Sequence, residues 1–225
     1  MKDKDPKALL SSFPLQFGDE LHKLHQALTG VIGRPPRVIQ FTSSQFDEGV
    51  TTVTLGFGVF LGRIHGPDSV LAVECNFRRP SFQDLFGVAQ DKGVQSVLAG
   101  NCQIEEAVFR SQDPAISILA LETGGGAVDP LSSEAGRLGL KTLFNSLQEK
   151  YRFVLVDIPP VLPFADASML CGLSDGIVLV LEANRTRAEQ VNDALDRLRS
   201  AGAKALGIIL NKREFHIPNY IYRYL

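Results

Sequence analysis

The sequence predicts an α/β protein of the doubly wound kind, one domain on a mostly parallel sheet with helices on both faces. Three observations predict it. Continuous apolar runs recur, as in Phe153-Val154-Leu155-Val156, Ile177-Val178-Leu179-Val180-Leu181 and Leu206-Gly207-Ile208-Ile209-Leu210. Such runs suit parallel strands covered on both faces. Between them lie segments with apolar residues at helical spacing, such as Leu21, Leu24 and Leu28, or Val191, Leu195 and Leu198. Polar turns follow several strands, where open α/β sheets carry their ligands.

The elements follow in order. Residues 1–14 start Met-Lys-Asp-Lys-Asp-Pro-Lys, have no apolar leader stretch, and read as a flexible, solvated tail. Residues 15–225 make the single domain, ending in a tyrosine-bearing tail at 216–225. An amphipathic helix over 18–28 is stopped by Arg34-Pro35-Pro36, which leads into a strand at 37–42. A helix then runs from the next loop to Gly62. Strands at 69–74 and 115–121 flank two short helices, 94–98 and 104–108. The glycine run Gly124-Gly125-Gly126 reads as a loop. A long helix to Lys150 follows, capped by Ser132 or Ser133. Strands at 153–157, 176–181 and 205–210, with a helix at 187–200, complete the pattern.

Composition narrows the function. The chain has 225 residues, 44% hydrophobic and 21% charged, ordinary for a soluble globular domain. A net charge of −2 gives no bulk field for nucleic acid or an anionic membrane, so no nucleic-acid partner is expected. No apolar run reaches the ~18–20 residues that span a bilayer. Cys75, Cys102 and Cys171 lack metal-ligand spacing and read as reduced, buried thiols of a cytoplasmic protein. His22 and His25 read as exposed helix residues.

The chemistry sits in the loops. After the first strand comes Thr42-Ser43-Ser44-Gln45-Phe46-Asp47-Glu48-Gly49-Val50-Thr51-Thr52, then an apolar helix. This is the layout of a phosphate-binding loop, which normally closes with Gly-Lys-Ser/Thr. Here valine occupies the lysine position. A glycine-bearing loop at a helix N-terminus still offers N–H groups to phosphate oxygens. The Thr51 hydroxyl can ligate Mg²⁺, and Asp157, closing an apolar strand, can hold that ion directly or through water. Asp47, Glu48, Gly49, Val50, Thr51 and Thr52 are therefore the nucleotide-binding candidates, Thr51 and Asp157 the metal candidates, and Glu74 and Asp157 the catalytic ones. Plainer readings stand beside these: a strand–helix turn at 42–52, Asp157 as a turn cap, Glu74 and Asn76 as loop polar residues, and alternating Tyr220, Tyr222 and Tyr224 as an edge strand or docking tail.

Over residues 15–225 the chain resembles the bacterial tyrosine kinases of capsule and exopolysaccharide synthesis (the CpsD/CapB/Wzc type, or BY-kinases), within the larger MinD/ParA-like group of P-loop proteins. That family carries Thr-Ser-x-x-Pro-Gly-Glu-Gly-Lys-Ser/Thr-Thr after its first strand. This chain keeps Thr42, Ser43, Glu48, Gly49, Thr51 and Thr52, with Phe46 for the proline, Asp47 for a glycine and Val50 for the lysine. A family Asp-x-Asp-x-Arg-x-Pro appears as Glu74-Cys75-Asn76-Phe77-Arg78-Arg79-Pro80. Asp157-Ile158-Pro159-Pro160, Asp166-Ala167, Asp175-Gly176, the 93–100 segment and Gly207-Ile208-Ile209-Leu210-Asn211 also match. The resemblance implies a P-loop NTPase-like fold, with Arg78 and Asn211 at the nucleotide, Asn211 near the base. It implies Tyr220, Tyr222 and Tyr224 as phosphoacceptors. It also implies a ring-forming Glu-x-x-Arg-x-x-Arg helix, here reduced to Glu20, Lys23 and Gln26.

The substitutions imply impaired binding. Valine supplies no charge, the Asp47 carboxylate adds the wrong one, and Asn76 removes an acid. Arg63, Arg78 and Arg79 are the cations that could substitute. The expectation is a pseudokinase that regulates or scaffolds polysaccharide assembly beside a membrane co-polymerase. It would be cytoplasmic and peripheral to the inner membrane through that partner, with a homo-oligomer as a further option. ATP or ADP with Mg²⁺ are its cofactors only if the altered loop still binds. The alternatives are an active tyrosine autokinase and a MinD/ParA-type positioning ATPase.

Overall fold

The apolar runs become one seven-stranded sheet in a computed structural model, which describes residues 6–33, 37–122 and 129–213. The strands are β1 (Val38–Ser43), β2 (Val70–Glu74), β3 (Phe109–Gln112), β4 (Ala115–Leu119), β5 (Phe153–Asp157), β6 (Gly176–Glu182) and β7 (Ala205–Asn211). They lie in the order β3-β4-β2-β5-β1-β6-β7. All neighbours are parallel except β3 and β4. From β1 the chain moves to one side, returns through β5, and then builds out on the other side. This switch places the loops after β1 and β5 next to each other. Every residue of β1, β2 and β5 is buried, which is why Val70–Val73 and Phe153–Val156 read as unbroken apolar runs, while β1 also buries Gln40, Thr42 and Ser43.

The helices are α1 (Pro6–Gln16), α2 (Gly18–Ile32), α3 (Val50–His65), α4 (Phe82–Phe86), α5 (Val94–Leu98), α6 (Ile104–Ala107), α7 (Glu134–Lys150), α8 (Asp166–Leu170) and α9 (Ala188–Ser200). On one face Leu140, Phe144 and Leu147 of α7 and Leu198 of α9 pack with Val154, Val156 and Leu179 of the sheet. On the other, Phe57 and Phe60 of α3 meet Ile39, Phe41, Leu155 and Val178. Ser133 caps α7, its hydroxyl accepting from the Gly136 N–H at 3.0 Å. The Asp175 carboxylate accepts from the Arg37 and Val38 N–H groups at 2.7 and 3.0 Å, which anchors the start of β1.

Three expectations change. Residues 6–14, read as part of a solvated tail, belong to α1, with Leu10 and Phe13 buried. Phe13 fills the groove left by Gly56, where an added Cβ would stand 2.3 Å from its ring. The antiparallel edge strand β3 and the five-residue helices α4 and α8 are additions, since segments this short carry too few periods to show a pattern. Finally, the expectation that β7 is covered on both faces changes: among the described residues it pairs only with β6, and Ile208 and Leu210 are exposed. The Gly124-Gly125-Gly126 run lies outside the described residues.

Candidate functional site

The parallel register sets Asp157 at the end of β5 between Phe41 of β1 and Glu74 of β2. The 42–49 loop arches over this point into α3. Gly49 has φ of 90°, and a Cβ there would stand 2.2 Å from the Asn211 side-chain nitrogen, so glycine is required twice over. No side chain caps α3. The first-turn amides of this sixteen-residue helix therefore face the loop without a side-chain acceptor, and the helix dipole makes that end partly positive.

Thr51 and Asp157 come together as the sequence predicts. The Thr51 hydroxyl donates to Asp157 Oδ2 at 2.6 Å. Asp157 is fully buried, and its Oδ1 has no hydrogen-bond partner among the described residues. Burial raises the Asp157 carboxyl to about 7; the Thr51 hydrogen bond opposes the rise and the nearby Glu74 adds to it. A buried carboxylate oxygen without a donor, beside a hydroxyl, fits a hydrated divalent cation, so this pair suits Mg²⁺.

The remaining loop residues divide. Glu48 is a brace. One carboxylate oxygen accepts from Ser44 Oγ at 2.9 Å and the Gln45 N–H at 2.8 Å, and the other from the Thr186 hydroxyl. Asn211 donates to the Glu48 carbonyl at 3.0 Å, buttressing the loop from the end of β7. Lys212 Nζ donates to the Asp47 carbonyl and to Glu182 at 2.9 Å. Asp47 is exposed, with φ of 67°, a conformation that favours glycine. Val50 and Thr52 lie in the first turn of α3, partly buried.

Glu74 needs correction as a proton or water acceptor. It is buried, and its oxygens accept from the N–H groups of Ser81 at 2.5 Å, Phe82 at 2.9 Å and Leu121 at 3.0 Å. Burial pushes its carboxyl up while these amides pull it down. Three backbone donors make it a clamp on neighbouring turns. Its proximity still bears on Asp157 through like charge.

The three substitute cations are not equivalent. Arg63 belongs to the last turn of α3, on the order of 20 Å along the axis from Val50, and donates to the Ser11 carbonyl at 2.7 Å. Arg78, the predicted nucleotide contact, grips Asp166 with two hydrogen bonds of 2.9 and 2.8 Å, lies 3.5 Å from Asp129, and has its basicity raised by the Asp166 bond. Arg79 lies at the loop, its guanidinium carbon 4.0 Å from the Phe46 ring centroid and its nitrogen 3.5 Å from the Asp47 carboxylate. Phe46 in turn packs edge-on against Phe164 at 5.6 Å. Two of the three departures noted in the loop, Phe46 and Asp47, thus touch the same arginine.

Sequence reasoning missed Lys212, Thr186, Glu182 and the Phe46–Arg79 stack. Lys212 had a signal in its place directly after Asn211; Thr186, distant along the chain, had none. Glu20, Lys23 and Gln26 are exposed on α2. Tyr220, Tyr222 and Tyr224 lie outside the described residues. Among the described residues no cluster of metal-ligating side chains is found, and no helix is long and apolar enough to cross a membrane.

A mostly parallel sheet whose first strand feeds a glycine turn and an uncapped helix, with a threonine–aspartate pair across the turn, defines an α/β domain of the P-loop NTPase-like fold. No protein-family model matches the chain. Among curated proteins, the tyrosine-protein kinase YwqD of Bacillus subtilis (strain 168) is 28% identical over 184 residues, 81% of this chain and 75% of YwqD. The succinoglycan biosynthesis transport protein ExoP of Rhizobium meliloti (strain 1021) is 26% identical over 82% of this chain but only 23% of ExoP. Among solved structures, the VpsO kinase domain superposes with a TM-score of 0.72 at 26% identity, covering 88% of this chain and 99% of that one. MinD of Pyrococcus horikoshii OT3, complexed with Mg-ADP, gives 0.64 at 26% identity over 84% and 76%. The chain is thus similar in sequence and fold to bacterial tyrosine kinases, and shares its fold with MinD-like P-loop proteins.

Proposed function

We propose that this chain is a pseudokinase of exopolysaccharide or capsule synthesis, a regulatory or scaffolding partner of a membrane polysaccharide co-polymerase. The observation that carries the reading is Val50 in the first turn of α3, where the loop lysine would stand; the cations at the loop, Arg79 and Lys212, are already paired with the Asp47 and Glu182 carboxylates. Hydrogen bonds to charged groups are worth about 1.5–3 kcal/mol each, and a phosphate seated here would lose the one its loop lysine normally supplies. If nucleotide does enter, Thr51 and Asp157 would hold its Mg²⁺, the first amides of α3 would meet its phosphates, and Asn211 would stay committed to the loop carbonyl. Bound MgATP would supply a transferable phosphoryl group; the chain's residues could orient it but lack a free base at Glu74. The succinoglycan-transport function named for ExoP supports the polysaccharide setting. The co-polymerase would be a separate chain or a further segment. Titration calorimetry tests the central point: MgATP and MgADP should bind more weakly than micromolar, and micromolar affinity overturns the reading.

One observation favours a second reading, an active tyrosine autokinase: the Thr51–Asp157 pair is retained with an oxygen awaiting a partner. Incubation with labelled ATP followed by mass analysis of the 216–225 segment separates the two. The third reading, a MinD/ParA-type ATPase, predicts nucleotide-dependent dimers and salt-sensitive DNA or membrane binding.

A further inference from the structure

The two edges of the sheet are finished differently. β3 has four residues, with Arg110 and Gln112 among them, and is antiparallel to its neighbour. Short, charged edges resist pairing with other chains. β7 has seven residues, Ala205-Leu206-Gly207-Ile208-Ile209-Leu210-Asn211, with neither charge nor proline. Ile208 is 49% exposed and Leu210 57%. Ile209 packs toward α2 and α3, while a Cβ placed at Gly207 would meet nothing within 4 Å. Among the described residues β7 pairs only with β6. A long, flat, apolar edge of this kind needs a cover.

The chain itself supplies a candidate. Residues 214–225 follow the end of β7 directly, and 220–225 reads Tyr-Ile-Tyr-Arg-Tyr-Leu, alternating in the way a strand alternates. We propose that segment 220–225 docks as an antiparallel strand on the free edge of β7 in the same molecule. With Tyr220 opposite Leu210, Tyr222 falls opposite Ile208, and opposed residues share a face. Both tyrosine rings would then cover the two exposed side chains. Aromatic–aliphatic cross-strand pairs contribute roughly 0.2–1 kcal/mol each. In this register residues 212–219 would connect the two strands, with Pro218 outside the paired stretch. Docked, the tail tyrosines would be withdrawn from any kinase that modifies them. The inference does not depend on whether the loop after β1 binds nucleotide.

Amide hydrogen exchange on the full chain tests this, with an unstructured peptide of the 214–225 sequence as reference. The amides of 220–225 should exchange about tenfold or more slower than in the peptide. The Ile208→Lys/Leu210→Lys double variant should lose that protection while its β6 amides stay protected, which shows that the fold is intact. Dilution should leave the wild-type protection unchanged. Peptide-like exchange in the wild type, protection that survives the double substitution, or protection that grows with concentration would each overturn the proposal. The last outcome would assign the edge to a second copy.

Discussion

Val50 stands where a loop lysine would carry its ammonium to phosphate oxygens, and Asp47 stands beside it with a carboxylate toward Arg79. Neither change alone accounts for the site. Lysine at Val50 would still face the Asp47 charge, and glycine at Asp47 would relieve the positive φ without supplying a cation. The double substitution Val50→Lys/Asp47→Gly should therefore raise MgADP affinity by about tenfold or more, and more than the sum of the single changes, since neighbouring charges couple. Calorimetry on the three variants checks it. Asp157 makes a second residue-scale case. Its folded carboxyl lies at about 7, above the ordinary value of 3.8, because it is buried. Its stabilising contribution is then full below about pH 4 and is lost as pH rises through about 7. In chelator, without nucleotide, Asp157→Asn should raise the melting temperature at pH 8 by about 3–8 °C and should do little at pH 4. An equal effect at both pH values would contradict the burial argument.

At the scale of elements, α1 depends on one ring. Phe13 enters the groove over Gly56 on α3, and Leu10 joins Leu55, Val59 and Phe86. Phe13→Ala should cost about 3–5 kcal/mol if α1 unfolds with the domain. If α1 detaches first, the cost is smaller and protease cuts within 6–16 appear in otherwise native protein. Denaturant unfolding with limited proteolysis reads both. This helix also shows why part of the fold was hidden. Its partner surface is a glycine groove on a helix far along the sequence, so the apolar residues among 8–13 look like an undirected cluster until α3 is in place. β5 and β6 were legible because burial on both faces imposes an unbroken apolar run. β7 was misjudged by the same rule, as its run is equally apolar but sits at an edge. In the site, Thr51 and Asp157 were legible from loop spacing and strand end. Glu74 was misread because only the fold shows that its oxygens meet the amides of Ser81, Phe82 and Leu121.

Across the whole molecule, titrations of opposite sign act on stability, one at buried Asp157 and the other at two partly buried histidines. The seam between α2, α3 and β5 brings His25 and His65 within 5.7 Å of each other, with both rings against Phe153. His65 Nε2 is buried with no hydrogen-bond partner among the described residues. Burial first, then the charge of Arg152, lowers the pKa of both histidines; His22 adds to this at His25, and His25 at His65. Their stabilising contribution is therefore full above the unfolded value of about 6.5 and is lost as pH falls below it. Asp157 moves the other way over the same range. From pH 8 to pH 5 the wild-type melting temperature should fall less than that of Asp157→Asn, because the Asp157 contribution grows as the histidine contribution fades. Asp157→Asn removes the first and should expose a clear fall on acidification. Adding His65→Phe to that variant should flatten the fall again while keeping an aromatic ring against Phe153. Thermal unfolding of the three proteins from pH 8 to pH 5, in chelator and at fixed salt, measures this directly. An equal fall in the wild type and Asp157→Asn, or none in Asp157→Asn, would show that other groups control the pH response.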